Sequence, residues 1–206
     1  MIKYLSKSRI LAGFIGVFIG GAYVIGSNAS MIDLEPMPLV DYDSLIVSIS
    51  KAEKKKQEIK HKKFMAREYA CMKITLIGEC TGESVLGKQA SGEIIMNRVA
   101  SKHYPNTVCG AVYQRRQFSM YNPDKQNRAN LARTLDIIDN EMSKPESERS
   151  EEFNETSALA KKLVNRTYTP ILPKDIVNYH TNEIKPDWSG EVHVRIDNHS
   201  FVWLAP

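Results

Sequence analysis

The chain has 206 residues, 42% hydrophobic and 25% charged, which suffices for one domain with a real core and an appendage. Its formal charge of +4 invites a nucleic-acid partner, yet residues 1–29 hold Lys3, Lys7 and Arg9 with no acid, residues 51–67 hold eight Lys/Arg against Glu53 and Glu58, and residues 68–206 hold 17 basic and 18 acidic side chains. The excess belongs to the N-terminal arm, and a nearly neutral body excludes a basic nucleic-acid face.

The first element is an uncharged, mostly apolar run of 17 residues, Ile10 to Gly26. At about 1.5 Å per residue it reaches roughly 25 Å, the short end of what crosses a bilayer. Residues 1–29 are therefore read as a signal anchor or a signal peptide, with the small residues Ser27-Asn28-Ala29 suiting cleavage. Gly16 and Gly20 form a small-xxx-small face through which two such helices would pair, giving a homodimer in the membrane. Basic residues ahead of the run place everything after it outside the cytoplasm, in the periplasm or cell wall.

Residues 31–44 carry Pro36 and Pro38 among four acids and read as a linker. Residues 45–77 then lack Gly and Pro altogether, and are expected to form one or two helices whose middle is a solvated, charged stalk. This divides the chain into an anchor at 1–29, a linker and basic stalk at 30–63, and a main domain at 64–206. Cys71, Cys80 and Cys109 suit an oxidising compartment: one disulfide and one odd thiol, or three separate buried thiols. The preferred pair is Cys71 with Cys109, which would pin the helix before Glu79 to a later one.

A second helix is expected over "LGKQASGEIIMNRVAS", with Ala90, Ile94, Ile95 and Val99 on one face. A short helix ending near Gln117 follows the Pro105-Asn106 turn, and two more helices cover 129–142 and 154–166, the latter capped by Asn154 or Thr156. After Thr169 the pattern changes to short β-prone runs, "TPILPKDIVNYHT", "VHVRI" and "HSFVWL", split by Pro, Gly and Asp-Asn. The body is α+β, helices first and a small sheet last.

Glu79 follows Ile74, Leu76 and Ile77, and a carboxyl beside an apolar wall is a usual setting for a general acid. The wider pattern is more specific. "GECTGESVLGKQASGEIIMNRV", "YPNTVCGAVYQRRQFS", "NYHTNEIKPDW" and "DNHSFVW" stand in an order and spacing that resemble the SleB/CwlJ-type cell-wall hydrolase family, over residues 71–203. The resemblance implies a lysozyme-like, mainly helical domain that cleaves peptidoglycan glycan strands between N-acetylmuramic acid and N-acetylglucosamine. It puts the family's proposed general acid on Glu79 and a sugar-binding cleft on Gln117, Phe118, Ser119, Tyr179, His180 and Trp188, with Phe118 and Trp203 alternatively plain core residues. The chain departs from the family pattern at Cys80 and Thr81, where the pattern has Ala and Arg, and so lacks a cation that would orient a neighbouring carboxylate.

One acid suffices for a lytic transglycosylase, because the muramic C6 hydroxyl closes on the anomeric carbon and the same Glu takes its proton. A muramidase needs a second carboxylate. Glu83 and Asp187 are the candidates, with Glu83 expected to brace the turn instead. His180, His193 and His199 lack zinc-ligand spacing, so no metal and no cofactor is expected. The rival reading is a non-enzymatic, membrane-anchored module that binds wall polymer or another polyanion through the basic stalk.

Overall fold

The computed structural model describes residues 41–204, and the chain divides after Tyr42 into two units, so the described residues belong almost wholly to the second. The expected membrane segment at 1–29, with its Gly16/Gly20 face, and most of the linker read at 31–44 lie outside the described residues; the end of that linker, from Tyr42, is helical instead. Among the described residues, no helix is long and apolar enough to cross a membrane.

The first helix, α1, is a single 38-residue element, Tyr42–Glu79. With Lys, Glu, Gln and Ala dominating its middle and no glycine before Gly78, backbone propensity alone supports it. Residues 41–64 are exposed on every side, and burial sets in around Glu68. Cys71, Met72 and Leu76 enter the main core, where the Cys71–Cys109 disulfide ties α1 to α3, Val108–Tyr113. Glu68 reinforces that junction, its buried carboxylate accepting the Val108 and Cys109 backbone N–H groups at the start of α3. Cys80 is the free cysteine among the described residues; its thiol is 1% exposed, and burial pushes it up to about 12, far from a reactive thiolate.

Helix α2, Val85–Ala100, is the centre of the fold. The one-faced pattern expected for it proves too narrow: Ala90, Ile94 and Ile95 are fully buried, but so is nearly every residue from Gly87 to Arg98. One side packs on α1, α3 and α5, Glu151–Asn165; the other meets Leu172, Ile176 and Phe201 under the sheet. Three polar residues on this buried helix bond to the segment that leads into the sheet. Glu93 accepts the Ile171 and Leu172 N–H groups, Asn97 donates to the Pro173 and Ile176 carbonyls, and Arg98 donates to the Val177 carbonyl. Residues 169–177 thus stay irregular, their backbone groups held by α2 side chains and two prolines barring a ladder. Only the end of the first β-prone run, Asn178–Thr181, becomes strand β1.

Strands β2, Ser189–Ile196, and β3, His199–Leu204, complete an antiparallel three-stranded sheet of order β1-β3-β2. A two-residue Asp197-Asn198 turn joins them, with Asp197 at φ 48° as such a tight hairpin demands. The remaining helices are longer or shorter than the sequence suggests: α4 is Lys125–Ser143, α5 starts at Glu151, and α3 stops at Tyr113, four residues before Gln117. Neither Asn154 nor Thr156 caps α5. Ser150 does, accepting the Phe153 N–H, with Glu151 and Glu152 following in the first turn.

Candidate active site

Glu79 is the last residue of α1, half-buried, with its carboxylate directed at a short turn that packs against the end of this helix. Glu79 Oε1 accepts the Met120 backbone N–H at 2.8 Å, and the Ser119 hydroxyl donates to Oε1 at 3.2 Å and Oε2 at 3.4 Å. The turn that supplies these donors, Ser119–Tyr121, is itself fixed at three points. Phe118 before it and Met120 within it are buried, and the Tyr121 hydroxyl pairs with Thr75 one turn up α1 at 2.9 Å. Two anchored donors therefore set the carboxylate's direction. The apolar wall expected around Glu79 is in fact interrupted by polar donors, because Ser119 and Met120 come from a segment 40 residues away.

Beyond Glu79 the chain turns through Gly82, at φ 82°, a left-handed conformation open to glycine, and α2 begins at the Ser84 cap. Glu83 does brace this turn, as expected: its side chain is 7% exposed, it accepts from Asn198 Nδ2 at 3.3 Å, and it lies 3.6 Å from His199 Nδ1. Asp197 works alongside it, accepting the Ser84 N–H at 2.8 Å and the Ser84 hydroxyl at 2.7 Å. These bonds hold the Asp197 carboxyl below its ordinary value, the Ser84 hydroxyl contributing most. The Asp197 carboxylate fills the place where a side chain at Gly87 would begin, so the hairpin tip seats directly on the first turn of α2.

Tyr179 stands beside this brace. Its ring packs edge-on against His199 and stacks on Phe201. Burial pushes its hydroxyl well above the usual tyrosine range, with Cys80, Glu79 and Glu83 adding to the effect and Arg98 opposing it. His180, next along β1 and on the opposite face of the strand, belongs to a separate group: its Nε2 lies 3.0 Å from Ser189 Oγ and its ring meets Trp188 at 6.0 Å between centroids. Trp188 is 44% exposed, a flat face open to a ligand. Asp187 beside it is exposed, and no hydrogen bond or ion pair among the described residues joins it to Glu79.

The structure thus brings together Glu79 and Ser119, and separately His180 and Trp188, while Tyr179 stands with His199 and Phe201. Gln117 points elsewhere, into a groove on the α2–α3 side. Phe118 is not a ligand-facing ring: at 2% exposure it is a core residue, with the Arg98 guanidinium 5.5 Å from its centroid. Trp203 is half-buried against the second core cluster beside His193. His199 sits at a strand end as expected, but in contact with Glu83 and Tyr179 and with no hydrogen-bond partner for Nδ1 among the described residues. Among the described residues, no group of three or more His, Cys, Asp or Glu side chains is placed to hold a metal ion. Sequence reasoning missed Met120, which acts through its backbone N–H, and Asp197, whose signal was the Asp-Asn turn after an alternating strand.

A family model described as Cell Wall Hydrolase matches residues 82–202. Two Bacillus cereus proteins, each named spore cortex-lytic enzyme, are 45% identical over 42 residues, 20% of this chain. That match spans 16% of the length of each relative. Among solved structures, the catalytic domain of the Bacillus cereus SleB protein is similar at a TM-score of 0.45 and 21% identity, covering 66% of this chain and 90% of that one.

Proposed function

Because the chain belongs to the cell wall hydrolase family, we propose that it degrades peptidoglycan by cutting the glycan strand between N-acetylmuramic acid and N-acetylglucosamine, with Glu79 as the acid/base. One observation carries this reading: the Glu79 carboxylate is held by the Met120 N–H and the Ser119 hydroxyl, a fixed and half-exposed proton-transfer group.

In the proposed reaction, protonated Glu79 donates to the oxygen leaving C1 of the muramic residue, and the C1–O bond breaks. The muramic C6 hydroxyl then attacks C1 while the Glu79 carboxylate accepts its proton. The products are a 1,6-anhydromuramic end and a new N-acetylglucosamine hydroxyl, and no water is consumed. Transglycosylation is favoured over hydrolysis because a hydrolase needs a second carboxylate flanking the bond. Glu83, the carboxylate nearest to Glu79 in sequence, is engaged with Asn198 and His199 in the brace. His180 and Trp188 would receive a sugar ring further along the strand, the indole face against pyranose C–H groups.

The proposal includes an extracytoplasmic site of action, with residues 1–29 as anchor or export signal, 30–63 as linker and basic stalk, and a lysozyme-like catalytic domain from 64. The test is to digest purified peptidoglycan with the protein and identify the new ends by mass spectrometry. Anhydromuramic ends are expected. Reducing muramic ends would replace transglycosylation by hydrolysis, and no new glycan ends would leave the binding-only alternative, for which the exposed lysines between 51 and 63 speak.

A further inference from the structure

The groove that receives Gln117 has a composition the cleavage of a neutral sugar chain does not require. It encloses about 740 Å³ between the C-terminal end of α2, the segment after α3, and residues 174–177. Tyr104, Gln114 and Gln117 line it, and Lys174 and Asp175, both exposed, bring one charge of each sign to its edge. Gln114 Oε1 is enclosed yet has no hydrogen-bond donor among the described residues. An enclosed acceptor without a donor costs about 1–3 kcal/mol unless something supplies an N–H or O–H. Gln117 stands two residues before Ser119, so its Cα lies within about 7 Å of the Cα of a residue that donates to Glu79.

A glycan strand of N-acetylated sugars is uncharged. The charges of peptidoglycan lie on its peptide stems, which leave each muramic residue sideways through the lactyl group and carry carboxylates, amino groups and a run of amide N–H donors. We propose that this groove binds the peptide stem of a muramic residue near the cut, an inference that rests on the glycan-cleavage reading above for its choice of polymer. A stem carboxylate pairs with Lys174, a stem amine faces Asp175, and peptide N–H groups reach the amide oxygens of Gln114 and Gln117. The muramic residues selected are then those that keep their stems.

The experiment measures retention of the full chain on peptidoglycan sacculi coupled to a solid support through their glycan hydroxyls, with stems intact and after an amidase has removed the stems, the coupling keeping the glycan in place once its peptide cross-links are cut, and uses Glu79→Gln protein so that no turnover intervenes. Intact sacculi should bind about tenfold more tightly, and Lys174→Ala, an exposed change, should reduce that preference about threefold. Free stem tetrapeptide should displace the protein from intact sacculi and not from stripped ones. Equal retention on both sacculi, or displacement by tetrapeptide from neither, would overturn the assignment. Retention is read without bond cleavage, so this result stands apart from whether Glu79 is the acid.

Discussion

The two halves of α1 share one backbone geometry and nothing else. Residues 42–64 touch solvent on every side, whereas residues 68–79 are built into the core, bridged by Cys71–Cys109 and ended by the carboxylate of Glu79. In the first half, helix formation rests on propensity and on the absence of Gly and Pro; in the second, packing fixes not just the helix but its rotation and register against α2 and α3. A carboxylate at the end of a free helix has no defined direction. At the end of this one it meets two donors at hydrogen-bond distance, because the last three turns cannot rotate or slide.

That contrast makes graded predictions. Replacing Cys71 and Cys109 together by serine releases α1 from α3 and should lower unfolding stability by about 2–4 kcal/mol in denaturant titrations, with a matching loss in the wild type under reducing agent. Glu68→Ala leaves the Val108 and Cys109 N–H groups without an acceptor inside the protein. The expected loss is about 1–3 kcal/mol, read from the thermal midpoint, whereas Glu53→Ala in the exposed half should cost less than about 0.5 kcal/mol.

These outcomes also separate what sequence could disclose from what it could not. The uninterrupted run before Gly78, the Cys71–Cys109 pair and the position of Glu79 were legible, because each depends on local composition or on spacing along the chain. Of the one or two helices expected over 45–77 the chain forms one, which runs through the division drawn at 63/64, since the switch from solvent to core changes side-chain partners and leaves the backbone unaltered. Sequence left Phe118 open between a binding ring and a core residue, because an aromatic beside Gln and Ser looks the same whether it faces a ligand or Arg98. The Ser84–Asp197 and Glu83–Asn198 contacts span 113 and 115 residues, and pairing at such separation has no local signature.

A smaller effect is expected at acid pH. The folded-state value of Asp197 lies below its ordinary 3.8, so its contribution is complete above that range and is lost as pH falls through the lowered value. Asp197→Asn should therefore flatten part of the decline in thermal midpoint below about pH 4, while the mid-pH stability drops modestly through loss of the two Ser84 bonds. Smallest of all, changing Lys54, Lys55 and Lys56 to Gln should leave the thermal midpoint of the folded body within about 0.5 kcal/mol equivalent, since these side chains are exposed and far from the core. A larger shift would mean the first half of α1 supports the second.

The most direct measurement is the rate at which new glycan-chain ends appear when purified peptidoglycan meets wild-type protein and Glu79→Gln. Glutamine keeps the shape and can still accept from Met120 N–H, but it can neither deliver nor take up the proton. The account predicts a rate lower by about 10²- to 10⁴-fold, with an unaltered thermal midpoint and unaltered retention on the polymer. Glycan ends released by the Glu79→Gln protein at the wild-type rate would contradict it.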